Sequence, residues 1–316
     1  MLKLFKNDGE TFTDLNITHL MKGTWLKLVN PSSEELNAVS EATGAPLDFL
    51  KAALDEEERS RIELEEECIL VLTNIPIMLN ETNYDTLPLG IISTEDYLIT
   101  VCLEDNPVLT EFNKENYRSF NTAKRTRFLF QILYKSATYY LKYLRQINKR
   151  TDQIERELRQ SLKNQEIFQL MDLQKGLTYF TASLRSNGVV MDRLMRLRSN
   201  SQSQHLIKMY EEDEDLLEDV IIENNQAIQM VEMYTNILSS MTDAFASIIS
   251  NNLNMVMKFL ASMTIILAVP TMIASFWGMN VSVPFSNHPF GFLIILVTAT
   301  CIAGVSSFVL WRKNMF

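Results

Sequence analysis

The amino-acid sequence predicts an α+β membrane protein: an N-terminal α/β domain, a long helical stalk and two C-terminal transmembrane helices. Three observations predict it. Although the 316 residues carry 39 acidic and 29 basic side chains, none of these lies in residues 259–311. Strand-type alternation is confined to residues 1–120, and no Gly or Pro interrupts residues 190–268. A soluble core would alternate with polar surface positions, so an uncharged stretch of this length reads as lipid-facing.

In the first segment, residues 1–120, positions 24–29 alternate as a strand does, and Ser32 with Glu35 three residues on forms a capping box that opens a helix. A second helix is expected to start near Pro46. Residues 61–64 and 68–72 read as strands, and residues 90–93 and 97–101 as a hairpin around the polar turn Thr94-Glu95-Asp96. The start of the chain meets acidic residues before any long apolar run and shows no secretory signal, so this domain is expected to stay in the cytoplasm. The three cysteines, Cys68, Cys102 and Cys301, share no Cys-x-x-Cys spacing and read as small hydrophobic residues. A net charge of −10 lacks the basic patches that nucleic acid requires, so no nucleic-acid partner is expected.

The second segment, residues 121–255, turns helical, with Phe128, Ile132, Tyr139 and Leu144 set among charged positions. Beyond residue 189 the polar run at 199–205 is the place where the chain can reverse, leaving a single helix over 211–277 with a possible kink at Pro270. At 1.5 Å per residue that helix is roughly 100 Å long, far more than a bilayer needs. Val220, Ala227, Tyr234, Met241, Ile248 and Met255 recur every seven residues beside Val231, Leu238 and Phe245, which marks a helix-bundle seam. The partner across it is either the preceding helix of the same chain or a neighbouring subunit; the heptads fit both.

The third segment, residues 256–316, contains spans at 259–277 and 290–311, joined by a link too short for anything but an antiparallel hairpin. Lys258 before the first span and Arg312-Lys313 after the second place both outer ends in the cytoplasm. Two helices do not enclose an aqueous path, so transport would require several subunits around an axis. Asn254, Met257, Thr264, Thr271 and Ser275, with Gly278, keep to one face of the first helix. Any one of these hydroxyls is explained by a bond to its own backbone, but a stripe of them ending in Gly-Met-Asn points to a pore. Thr298, Thr300, Gly304, Ser306 and Ser307 are scattered around the second span, which reads as an outer helix.

At Pro270-Thr271-Met272-Ile273-Ala274-Ser275-Phe276-Trp277-Gly278-Met279-Asn280 the sequence resembles the CorA family of magnesium and divalent-cation transporters, whose hallmark is Gly-Met-Asn at the outer end of the first of two C-terminal spans. The resemblance implies a homopentameric funnel in the cytoplasmic membrane. It implies a selectivity filter at Gly278, Met279 and Asn280, and a pore lined by Asn254, Met257, Leu260, Thr264, Ala268, Thr271 and Ser275. Met257 and Leu260 would form the gate. Mg2+ would be substrate and regulatory ligand rather than a cofactor, sensed at Asp219 and Asp243. Asp55, in the acidic run Asp55-Glu56-Glu57-Glu58, lies near where a partner for Asp219 is expected. Seven of the nine residues 211–219 are acidic, and most of that run reads as a solvated face.

A zinc-carrying branch shares Gly-Met-Asn, so zinc, cobalt or nickel transport is the alternative within this class. In another class stands a two-span signalling receptor, which has no use for amide oxygens at a pore mouth. No phosphate loop or His-Glu-x-x-His motif is present, and His19, His205 and His288 are widely separated, so an enzyme is not expected.

Overall fold

The computed structural model describes residues 1–9, 11–65, 67–160, 164–197, 207–281, 283–284, 288–313 and 315. The expected chain reversal at 199–205 lies outside the described residues. Side-chain and backbone contacts divide the chain into two units, Met1–Ser240 and Met241–Phe316.

The first unit is built on a seven-stranded sheet of β1 (Leu2–Asn7), β2 (Phe12–Leu15), β3 (Thr24–Val29), β4 (Arg61–Leu64), β5 (Cys68–Met78), β6 (Tyr84–Thr94) and β7 (Leu98–Cys102). Their spatial order is β2-β1-β3-β7-β6-β5-β4, parallel where β3 meets β7 and antiparallel elsewhere. Helices α1 (Ser33–Thr43) and α2 (Leu47–Ala52) place Leu36, Val39, Phe49 and Leu50 in one core with Leu26, Leu28, Leu70 and Leu72. After the short α3 (Pro107–Thr110), helices α4 (Arg125–Gln160) and α5 (Asn164–Leu197) bring Phe128, Ile132, Val190 and Leu194 to a second core with Trp25, Ile69, Val71 and Ile91. Because both faces are covered, the alternation read in β3 sorts side chains between two cores rather than between core and water, and residues 24–28 are all buried. Trp25 is fully buried, its Nε1 donating to Thr100 Oγ1 at 2.9 Å and its ring edge-on to Phe128 at 5.1 Å. Burying a large apolar side chain of this kind contributes about 1.5–3 kcal/mol.

The capping box is present as read. Ser32 Oγ accepts the Glu35 N–H at 3.2 Å and Glu35 Oε2 accepts the Ser32 N–H at 3.0 Å. That bond from Ser32, together with the nearby amino terminus, holds the Glu35 carboxyl below the usual carboxylate range. The helix ends at Gly44, whose φ of 75° is in the left-handed region that glycine adopts without a Cβ penalty. Strands β5 and β6 run further than the segments 68–72 and 90–93, passing through Pro76 and Pro88, and β1 and β2 add two strands not read from the pattern. Helix α5 approaches β6 so closely at Gly176 that a Cβ there would sit 3.0 Å from the Cβ of Tyr84 and 3.1 Å from its carbonyl oxygen.

Helix α6 (Glu211–Trp277) is continuous for 67 residues, through Pro270. Its first part answers the question left open by the heptads. Leu217 and Val220 join the core that holds Val190 and Leu194 of α5, Asn224 Nδ2 donates to the Leu184 carbonyl at 3.1 Å, and Arg185 pairs with Glu232 at 2.6 Å. Ala227, Val231 and Leu238 are buried as well. Further along the same rows Ile248 and Met255 are exposed.

Candidate functional site

In the second unit the end of α6 is followed by a link and by α7 (Gly291–Arg312). Both helices are long and apolar enough to cross a membrane, and only 6% and 11% of their most apolar windows are buried. The two face each other at both ends of one seam, where Trp277 shares a cleft with Gly291 and Ile295 and where Ser262 reaches Met315. On α6 the less exposed positions are Ser262, Ile266, Val269, Ile273 and Trp277, at spacings of three and four; on α7 they include Gly291, Ile295, Ala299 and Ala303. Ser262 is fully buried and its Oγ donates to the Met315 carbonyl at 3.2 Å.

The residues singled out for the pore lie on the opposite side of α6. At about 100° per residue, Met257, Leu260, Thr264, Ala268, Thr271 and Ser275 centre roughly 180° from the seam with α7. All six are exposed in the chain, as is Asn254 at the N-terminal end of the stripe. Leu260 and Ala268, which periodic polarity alone did not pick out, fall on the same face. The seam residues Ser262, Ile266, Val269 and Ile273 had not been singled out; the signal was their own helical spacing, opposite to the polar stripe.

The hydroxyls on this face have a defined chemistry. Thr264 Oγ1 donates to the Leu260 carbonyl and Thr271 Oγ1 to the Leu267 carbonyl, both at 2.8 Å. Each proton is thereby committed to the helix, and what remains is oxygen acceptor capacity. On α7, Thr298 and Thr300 likewise donate to the Ile294 and Leu296 carbonyls, at 2.7 and 2.8 Å, which satisfies these two hydroxyl protons within the helix.

At the end of α6, the Gly278 N–H still donates to the Ala274 carbonyl at 2.9 Å, and the chain then turns so that the Val281 N–H reaches the Met279 carbonyl at 2.9 Å. Gly278, Met279 and Asn280 are all exposed, and among the described residues the Asn280 carboxamide makes no hydrogen bond. Gly278 is not in the left-handed region, and a Cβ on it would meet nothing nearer than the Ala274 carbonyl oxygen at 3.4 Å. Among the described residues nothing therefore requires glycine there.

The acidic candidates are not brought together. Asp219 and Asp243 on α6 and Asp55 after α2 are exposed, and among the described residues no three His, Cys, Asp or Glu side chains converge to hold a metal. Asp55 has a local role, its Oδ1 accepting the Glu57 N–H at 3.0 Å in a turn. Within the run 211–219, Glu212 pairs with Arg127 at 2.5 Å, and Asp213 is buried with its Oδ2 accepting the Tyr210 N–H at 3.1 Å.

Comparison with known proteins agrees with this layout. Residues 22–313 match the family model described as CorA-like Mg2+ transporter protein. The chain is 27% identical over 300 residues to the cobalt/magnesium transport protein CorA of Methanocaldococcus jannaschii, covering 92% of this chain and 90% of the relative. Among solved structures it is similar to the complete CorA magnesium transporter of Methanocaldococcus jannaschii, at a TM-score of 0.84 and 24% identity, covering 100% of this chain and 99% of that one. It also resembles the full-length CmaX protein, at a TM-score of 0.73 and 16% identity, with 98% and 96% of the two chains covered. A family match over nearly the whole chain, a full-length likeness of fold and a pair of apolar C-terminal helices point the same way, and the chain belongs to the CorA family of divalent-cation transporters.

Proposed function

We propose that five copies of this chain surround one axis in the cytoplasmic membrane and conduct hydrated Mg2+ inward, with both termini in the cytoplasm. The observation that carries this reading is the polar face of α6, exposed in the chain and turned away from α7, which ends at Gly278-Met279-Asn280. A face bearing Asn254, Thr264, Thr271 and Ser275 is poorly suited to lipid and well suited to a shared aqueous path. In this arrangement residues 1–120 form the cytoplasmic domain, 121–255 the stalk and 256–316 the transmembrane hairpin.

Magnesium holds its waters tightly, so it is recognised through its hydration shell more readily than by direct ligation. A ring of Asn280 carboxamide oxygens and Gly278 carbonyls accepts hydrogen bonds from those waters without a carboxylate that would trap the ion. The oxygens of Thr264 and Thr271, their protons already committed, continue the same acceptor character along the path. Met257 and Leu260 form an apolar ring that excludes a hydrated dication until it widens and wets. The driving force is the membrane potential, about 4.6 kcal/mol per 100 mV for a doubly charged ion.

Regulation by cytoplasmic Mg2+ would use Asp219 and Asp243, with Asp55 from a neighbouring copy. Their exposure on the isolated chain leaves them available across a subunit boundary. Carboxylates facing each other repel when the site is empty, so a bound dication holds subunits together and favours the closed ring. The test is flux into liposomes under a fixed potential, with Mg2+, Co2+, Ni2+ and Zn2+ compared. Asn280→Ala should lower Mg2+ flux about tenfold or more through the lost ring of acceptors, with the oligomer intact. Parent-level flux through the assembled variant would overturn the filter assignment, and preferential Co2+ flux would favour the cobalt reading that the curated relative's name supports.

A further inference from the structure

Independently of the pore, we propose that the first unit carries a binding site for a small, multiply charged phosphate-bearing anion, in the cavity between the start of α4 and the start of α6. The cavity has a volume of about 750 Å³ and is lined, among the described residues, by Lys124, Arg125, Thr126, Arg127, Lys208, Tyr210 and the acids that follow. That volume is within the range of small-molecule sites, roughly 300–1,000 Å³.

The charges in its wall are unevenly matched. Arg127 is committed to Glu212 at 2.5 Å and is 3.9 Å from Asp213, which is itself turned to the Tyr210 N–H. Lys124, Arg125 and Lys208 form no ion pair within 4.0 Å among the described residues, and Lys208 Nζ instead lies 5.4 Å from the centre of the Tyr210 ring. In all, four cations, Lys124, Arg125, Arg127 and Lys208, face three acids, Glu211, Glu212 and Asp213, in the lining, and two of those acids lie on Arg127. Arg125 is the informative member. Among the described residues its Nη1 is buried without a hydrogen-bond partner, and burial lowers the pKa of its guanidinium despite the charges of Asp96 and Glu95.

A partly buried, unpaired guanidinium is costly unless a counter-charge arrives. Arginine's planar fork favours an oxyanion that accepts two parallel bonds, and Lys124 and Lys208 supply further positive charge. Thr126 adds a hydroxyl donor to the lining. The match is to a compact polyphosphate rather than to a single-charged anion, because three cations without an ion pair among the described residues line one cavity. Occupancy would tie the beginning of α6, the helix that carries the pore stripe, to α4.

The experiment uses the full-length protein in detergent, titrated calorimetrically with sodium pyrophosphate in the presence of a chelator, with sodium sulfate at matched ionic strength as the comparison. Pyrophosphate should bind at least about tenfold more tightly than sulfate, and Arg125→Gln should weaken it about tenfold. Because Arg125 is partly buried and its loss could disturb folding, Lys124→Gln/Lys208→Gln provides the second arm on exposed side chains, with a similar loss expected. Equal binding of pyrophosphate and sulfate, or pyrophosphate affinity in the double variant within twofold of the parent, would overturn the site.

Discussion

Asn187 shows how single polar side chains hold the first unit together. It is 2% exposed; its Oδ1 accepts from Ser60 Oγ at 2.8 Å and from the Asn74 N–H at 2.9 Å, while its Nδ2 donates to the Asn74 carbonyl at 2.7 Å. One amide thus satisfies both backbone groups of Asn74 from helix α5. Truncation leaves buried partners unpaired, so Asn187→Ala should cost about 3 kcal/mol. A clear drop in the thermal midpoint, followed by tryptophan fluorescence in detergent, is the expected result; an unchanged midpoint would mean that water or relaxation replaces these bonds. Asn280 is the opposite case, an amide with no hydrogen bond among the described residues, and its substitution should leave the same midpoint unmoved while flux falls.

At the scale of elements, α6 carries different duties along its length. Its first part is buried against α5, its apolar middle is exposed, and its last turns present a polar face on one side and a seam with α7 on the other. Met257 and Leu260, 58% and 53% exposed, lie on the former face, three residues apart. If they form the constriction, Met257→Ala and Leu260→Ala should raise Mg2+ flux severalfold at high internal Mg2+, where the parent is closed. Alanine is the choice because glycine would add a helix cost of about 1 kcal/mol and confuse gating with unwinding. Variants as tightly closed as the parent would move the gate elsewhere on the stripe.

For the whole molecule, the exposed apolar and polar faces of the second unit imply an assembly, and disulfide trapping reads its geometry. In a Cys301→Ser background, Leu260→Cys should give oxidant-dependent covalent dimers, since the proposed assembly brings equivalent residues together at the axis, whereas Leu296→Cys on α7 should not. Efficient trapping at Leu296 with none at Leu260 would exchange the roles of the two helices. Regulation is tested at the same scale. Asp219→Lys places a cation where the dication would sit, and Asp219→Ala removes a ligand; limited proteolysis with and without millimolar Mg2+ should show weaker metal protection in both. Because Asp215 and Glu218 are near on the same helix, a partial loss is expected. Undiminished protection would assign Asp219 to the solvated face.

Much of this architecture is legible without coordinates. Local signals carry it: the uncharged stretch 259–311, the Ser32/Glu35 capping box, the absence of Gly and Pro from 190 to 268, and the polar spacing that ends at Asn280. These depend on neighbours in the chain or on the solvent that surrounds it, and both leave a mark in composition and period. Other features are set by partners far away in sequence. The reach of β5 and β6 through Pro76 and Pro88 is supported by eleven paired positions and by α5 lying against Tyr84, although proline ordinarily argues against an interior strand. Burial of every residue from 24 to 28 needed a second helical layer that the strand itself does not announce. The heptad seam stayed ambiguous because a seven-residue repeat specifies a partner surface and not its owner; tertiary contacts gave its first part to α5 of the same chain. The cavity of Lys124, Arg125 and Lys208 was invisible for the same reason, since residues 124 and 208 become neighbours only when α4 and α6 start side by side.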